Sequence, residues 1–161
     1  MKLIAIHSIY IICFSLLLSC SNELNQKVNQ NESLAKSFIL YWDRHDTEKL
    51  ISLFADSCLY EEVATGRKFY DKNGIAGYAT GTLSGIPDSK FEILTISAAD
   101  SIAFVEWIWS GTNSVGWPDM GILPSNKQFN LRGISVMVIK DNKIVRNSDY
   151  WDWNSFIQRI E

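Results

Sequence analysis

The chain is expected to fold as an α+β domain, with a curved antiparallel sheet wrapped around helices that come first in the sequence. Three observations lead there. The stretch after Glu32 carries apolar residues at helical spacing, and the chain from Phe91 onward alternates as strands do. Asp141-Asn142 then joins two long strand-like runs, Gln128 to Lys140 and Lys143 to Trp151, through a tight turn. A sheet curved over a few helices makes a cone, and a cone has a mouth.

Before the domain comes a different kind of segment. Residues 1–19 have a positive start at Lys2, an apolar run to Leu18 and a small residue at Ser19, the features of an export signal. The ending Leu17-Leu18-Ser19-Cys20 resembles a bacterial lipobox. That resemblance implies cleavage before Cys20 and lipidation of its thiol and amino group, hence a membrane partner and a place in the bacterial cell envelope, the outer membrane favoured. Residues 20–31 are polar, rich in Asn and Gln and without periodicity, and are expected to be a tether. The domain proper is expected over residues 32–161.

Charge and composition narrow the partners. The formal net charge is −3 and no basic run occurs, so no nucleic-acid partner is expected. Once the leader is removed, His45 is the one histidine and Cys58 the one cysteine beyond Cys20. A histidine-based metal cluster and an internal disulfide are thereby excluded, and no cofactor is expected. Five of the six tryptophans lie after residue 100, which concentrates aromatic surface in the sheet.

In chain order, Glu32 to His45 presents Leu34, Ala35, Phe38, Ile39, Tyr41 and Trp42 as one buried helical face. Asp46 or Thr47 can cap a second helix over 48–55. Short strands follow at 58–63 and 67–70, then a glycine-rich helix over 71–84. Gly85-Ile86-Pro87-Asp88 breaks the chain. Strands are expected over 91–99 and 102–112, and residues 111–126 form a long Gly/Pro loop holding Trp117, a candidate lid. Asp152 is placed to cap a last helix containing Phe156, Ile157 and Ile160.

A two-residue turn at Asp141-Asn142 sets Lys140 opposite Lys143, and simple counting then sets Ile134 opposite Asp149 and Arg132 opposite Trp151. Arg132 becomes the diagonal neighbour of Asp149, within reach of a long side chain. On the preceding strand Ala103, Val105, Trp107 and Trp109 share a face. Tyr60 and Glu62 share another, with Glu61 turned away.

Three stretches together resemble the SnoaL-like branch of the nuclear-transport-factor-2-like superfamily: Gly85-Ile86-Pro87-Asp88, Arg132-Gly133-Ile134-Ser135-Val136, and Asp141-Asn142-Lys143-Ile144-Val145 followed by Asp149-Tyr150-Trp151-Asp152. The resemblance spans Leu34 to Ile160. It implies a cone-shaped α+β barrel, often a homodimer through the outer face of the sheet, with a pocket between sheet and helices. Members include polyketide cyclases, steroid isomerases and epoxide hydrolases. Asp149 matches an aspartate that performs acid/base chemistry in epoxide-hydrolase-like members. Those members also carry an arginine and a second aspartate on the middle strand, where this chain has Trp107 and Trp109, a departure that argues against that reaction.

The candidate site is therefore Asp149 and Arg132 as polar residues, with Tyr60, Glu62, Trp107, Trp109, Trp117 and Trp151 as ligand-binding walls. Its expected use is to hold a small, mostly apolar molecule. The alternatives are cyclase or isomerase chemistry with Asp149 as base and Arg132 as its candidate catalytic partner, and a non-catalytic structural or interaction lipoprotein whose cone is filled by its own side chains; the plain reading of Arg132 and Asp149 is a buried pair that fixes the sheet.

Overall fold

The computed structural model describes residues 24–161. The expected export signal and the expected lipidation of Cys20 lie outside the described residues. Within them the fold is α+β, as expected, built on one six-stranded curved sheet with helices packed inside it.

The first helix, α1, is described over residues 24–43 and so begins well before Glu32. The polar stretch preceding Glu32 is therefore helical from residue 24, not an extended tether. The reason is a long-range contact that its composition hides. Asn31 is buried, and its side-chain amide donates to the carbonyls of Ala99 at 2.9 Å and Asp100 at 3.2 Å. Lys27 pairs with Asp100 on the same turn at 2.6 Å. Beyond Asn31 the helix buries Ala35, Phe38, Ile39 and Trp42, the i, i+3, i+4, i+7 stripe read from the sequence.

Asp46 caps α2 (Thr47–Ser52) by accepting from the Lys49 amide at 3.0 Å. That helix ends three residues before the expected position. Phe54 already belongs to β1 (Phe54–Glu62), where it pairs with Ile144. Gly66, at φ +72°, turns the chain into β2 (Arg67–Phe69). Asp71 caps α3 (Lys72–Gly85) through Gly74 N at 2.7 Å. Next come β3 (Lys90–Ala98), β4 (Ile102–Thr112), a short 3₁₀ turn (Pro118–Met120), β5 (Gln128–Lys140), β6 (Lys143–Trp151) and α4 (Trp153–Ile160), capped by Asp152.

The strand order is β2-β1-β6-β5-β4-β3. Four junctions are antiparallel, but β1 runs parallel to β6, so the sheet is mixed and not purely antiparallel as expected. This parallel junction matters for the site because it brings the end of β1 beside the end of β6.

The β5–β6 turn has the anticipated two residues. Asp141 and Asn142 sit at φ +51° and +57°, both in the left-handed region, as a type I′ turn requires. Lys140 pairs with Lys143 and Ile139 with Ile144, but Val138 then pairs with Arg146, leaving Val145 as a bulge. One extra residue reverses every later side chain relative to simple counting. Ser135, not Ile134, lies opposite Asp149, and Gly133, not Arg132, lies opposite Trp151. The inward face of β5 is consequently Phe129, Leu131, Gly133, Ser135, Met137 and Ile139.

Candidate active site

The inner face of the sheet and the helices enclose a cavity of about 100 Å³. Its polar floor comes from β1, β5 and β6. Glu62 ends β1, Ser135 lies mid-β5 and Asp149 nears the end of β6. Each points inward by the alternation just described.

Asp149 is only 6% exposed and is held by three donors. Its Oδ1 accepts from Ser135 Oγ at 2.6 Å and from Asn147 Nδ2 at 2.7 Å, and its Oδ2 accepts from the Tyr60 hydroxyl. Ser135 Oγ in turn accepts from Trp107 Nε1 at 2.9 Å, which orients the serine proton toward the carboxylate. A carboxylate offers about four acceptor positions. Three are taken, and the remaining one is on Oδ2. Burial pushes the Asp149 carboxyl above its ordinary range, against the pull of the Ser135, Tyr60 and Asn147 donors.

Glu62 faces Asp149 directly across the β1–β6 ladder. Tyr78 donates to its Oε2 at 2.6 Å and the Ala64 amide to its Oε1 at 3.3 Å. Burial, followed by the neighbouring Asp149 charge, pushes Glu62 up to about 8. Burial thus raises both carboxyls, and the charge of either one resists a second charge beside it. Tyr60 and Tyr78 are pushed well above the usual tyrosine range, chiefly by burial, and remain donors.

Aromatic rings form the walls. Trp109 stacks on Phe91 with an interplanar angle of 7°, and Trp151 meets Trp109 edge-on at 5.6 Å. Trp107 lies over Gly133, where a Cβ would overlap its indole. Trp117 reaches from the long loop across α3, donating to the Gly81 carbonyl at 3.0 Å, and its indole occupies the space that a Cβ at Gly85 would need. The loop is fastened there by Gly116 N to Gly85 O at 2.9 Å. Arg67 and Met120 complete the rim, joined by a contact of 3.6 Å from the guanidinium to the thioether.

The structure brings together seven of the eight sequence candidates: Tyr60, Glu62, Trp107, Trp109, Trp117, Asp149 and Trp151 all line the cavity. Arg132 does not. It lies on the outer face of the sheet, its side chain 68% exposed, paired with Glu106 at 2.6 Å. The Val145 bulge is the cause, so no Arg132–Asp149 pair exists. Counting missed Ser135, Asn147, Tyr78 and Arg67. Ser135 lay within the quoted Arg132–Val136 stretch, and the correct register would have found it. Cys58 is buried in β1 and His45 bonds the Ser89 carbonyl at 3.0 Å, so each has a structural place away from the pair.

The molecule is thus a cone-shaped α+β domain with a buried carboxylate pair facing an aromatic cavity. The family is then plain: the SnoaL-like domain model matches residues 35–147, and the chain belongs to that family. Solved structures agree on the fold. A proposed polyketide cyclase from Xanthomonas campestris pv. campestris is 12% identical, with 84% of this chain and 99% of that one covered at a TM-score of 0.72. IdmH from Streptomyces antibioticus, also a proposed polyketide cyclase, is 19% identical over 81% and 97% of the two chains at 0.70. A Catenulispora acidiphila protein with a ketosteroid isomerase-like fold, solved in complex with trimethylamine, is 17% identical over 79% and 91% at 0.69. No curated protein matches the chain.

Proposed function

We propose that this protein is a proton-transfer enzyme of cyclase or isomerase type, acting on a small, flat, mostly apolar carbonyl compound. The observation that carries this is the Glu62–Asp149 pair, buried side by side on the β1–β6 ladder and opening onto an aromatic cavity. Asp149 Oδ2, with its free acceptor position, takes a proton from the carbon beside the carbonyl. The C–H electron pair moves into the new C=C bond, and charge develops on the carbonyl oxygen. Glu62, carrying its proton, donates to that oxygen. Return of the proton from Asp149 to a different carbon, while the enol O–H proton goes back to Glu62 and the C=O bond re-forms, gives an isomer. Attack of the enol carbon on a second carbonyl, whose oxygen takes the proton from Asp149 while the enol O–H proton goes back to Glu62, gives a ring. The indole walls keep water away, which strengthens each of these interactions.

The test is isomerisation of cyclohex-3-enone to its conjugated isomer, followed by ultraviolet absorbance. The ring suits a cavity of about 100 Å³. Asp149→Asn is expected to lower the rate by about 10²–10⁴-fold, the usual worth of a positioned base. Absence of both isomerisation and solvent deuterium exchange across small cyclic ketones would refute the enzyme reading.

The aromatic lining favours a second reading, a module that holds an apolar ligand without turning it over. Native mass spectrometry of the purified protein, searching for a co-purifying molecule, addresses it. In either reading the protein works in the envelope, tethered through Cys20, which radiolabelled palmitate incorporation and its loss in Cys20→Ala would test. A homodimer through the outer face, where Phe104 and Tyr150 are exposed, is tested by sedimentation equilibrium.

A further inference from the structure

Arg67 plays no part in the proton transfer described above, yet it lines the same cavity. It opens β2 directly opposite Glu62 in the β1–β2 ladder. Paired positions share a face, so an Arg–Glu ion pair is the ordinary outcome there. It does not form. No carboxylate lies within ion-pair distance of Arg67 among the described residues, and Glu62 is hydrogen-bonded to Tyr78.

The guanidinium lies instead over two rings, 5.2 Å from the centroid of Phe69 and 5.4 Å from that of Tyr78. Phe69 and Tyr78 themselves stack at 4.8 Å, so the platform is firm. A cation–π contact engages the guanidinium charge and consumes none of its N–H donors, so the N–H fork stays available. Among the described residues the one polar contact of that fork is Nη1 to Met120 Sδ at 3.6 Å, and a thioether is a weak acceptor that yields readily to an oxygen anion. The cavity beyond carries the negative Glu62–Asp149 pair, which repels anions. A cation held at the rim, free of its neighbouring glutamate, offsets that repulsion at one place only.

We propose that Arg67 is an anion-holding residue of this site, and that its ligands are small aromatic or alicyclic carboxylates, with the apolar body among the indoles and the carboxylate on the Arg67 fork. This deepens the acid–base reading, since it assigns a substrate class to the same cavity. It also explains why the arginine is kept off Glu62: pairing there would consume both the rim cation and the proton on the acid.

The experiment is a titration of the full-length protein with phenylacetate and with its neutral analogue phenylacetamide, read by quenching of tryptophan fluorescence. The acid is expected to bind about tenfold more tightly than the amide, the gain of one charge-assisted bidentate contact. In Arg67→Gln the ratio is expected to fall to about one, while Arg67→Lys keeps part of it as a point charge. Equal affinities in the unaltered protein, a preference that survives in Arg67→Gln, or no saturable binding of the acid would overturn the proposal. Cyclohex-3-enone has no anion, so its isomerisation by the unaltered protein reports on the acid–base reading separately. Turnover of the ketone without acid preference sinks only the role of Arg67. Acid preference without turnover sinks only the chemistry.

Discussion

Glu62 and Asp149 are partners across the parallel β1–β6 junction, the end of one strand beside the end of another 87 positions later. The Val63 amide donates to the Asp149 carbonyl at 3.0 Å immediately beyond the pair, so the backbone itself fixes their separation. Neither residue meets a basic side chain. Their company among the described residues is hydroxyls, a side-chain amide, a backbone N–H and each other, an arrangement that resists a second charge.

Stability should therefore fall as the solution becomes alkaline. Glu62 is raised from 4.5 to about 8 in the folded protein. Between those values the folded state holds a proton that the unfolded chain has released. The stabilisation is complete below the unfolded value and is lost as pH rises through the folded one. Thermal unfolding from about pH 5 to about pH 9 is expected to show a falling Tm, with a stability loss on the order of 1–3 kcal/mol. Glu62→Gln, which cannot ionise, should flatten the curve. An equally steep decline in that variant would place the alkaline sensitivity elsewhere.

The Ser135 hydroxyl has a separable effect. It hands on the Trp107 N–H interaction and donates to Asp149 Oδ1, and both hydrogen bonds favour the charged carboxylate. In Ser135→Ala the Asp149 carboxyl should rise further, because a hydrogen bond to its charged form is lost. The acid limb of the rate profile for cyclohex-3-enone should move up with it, while the alkaline limb, set by Glu62, should hold. A uniform loss of rate at every pH would instead mean that the serine only maintains packing.

What could be read from the sequence, and what could not, follows from the range of the forces involved. Asp46, Asp71 and Asp152 cap three helices through amides two or three residues away, and all three elements were readable. Residues Ile102–Thr112 carry their alternation within the strand, and β4 falls on those bounds. The Asp141-Asn142 turn was likewise visible, since these residues tolerate the left-handed region. The Val145 bulge was not, because Val145 is an ordinary strand residue and nothing local marks an unpaired position there. That one residue separates the Arg132–Asp149 pair suggested by counting from the Ser135–Asp149 pair that exists. The helix before Glu32 was hidden for a related reason: Asn31 is paired only through carbonyls 68 and 69 positions away.

The corrected place of Arg132 has its own test. Its partner Glu106 lies on the same exposed face, and exposed ion pairs contribute about 0.2–1 kcal/mol. Arg132→Ala should cost no more than that and leave the pH profile of catalysis in place. A loss of several kcal/mol, of the kind expected on orphaning a buried charge, would show that Arg132 meets Asp149 after all.

Gly133 tests the aromatic wall. It pairs with Trp107 across β4–β5 and with Trp151 across β5–β6, and the Trp107 six-membered ring covers its Cα. A methyl group there would overlap three ring atoms of a buried indole, and a ring does not bend away as a flexible side chain does. Gly133→Ala must therefore push Trp107 off the sheet, at an overpacking cost of about 1–3 kcal/mol. Displacement also breaks the Trp107 Nε1–Ser135 Oγ bond and frees the serine to turn from Asp149. The expected outcome is a lower Tm together with an upward shift of the acid limb, matching Ser135→Ala in direction. Gly77→Ala, on the α3 side of the same cavity, is the control for packing. Nothing lies within 4 Å of a Cβ at Gly77, so that substitution within α3 should leave Tm unchanged or raise it slightly. If Gly133→Ala behaves as Gly77→Ala does, Trp107 is not seated as described, and the link from the wall to the carboxylate pair fails with it.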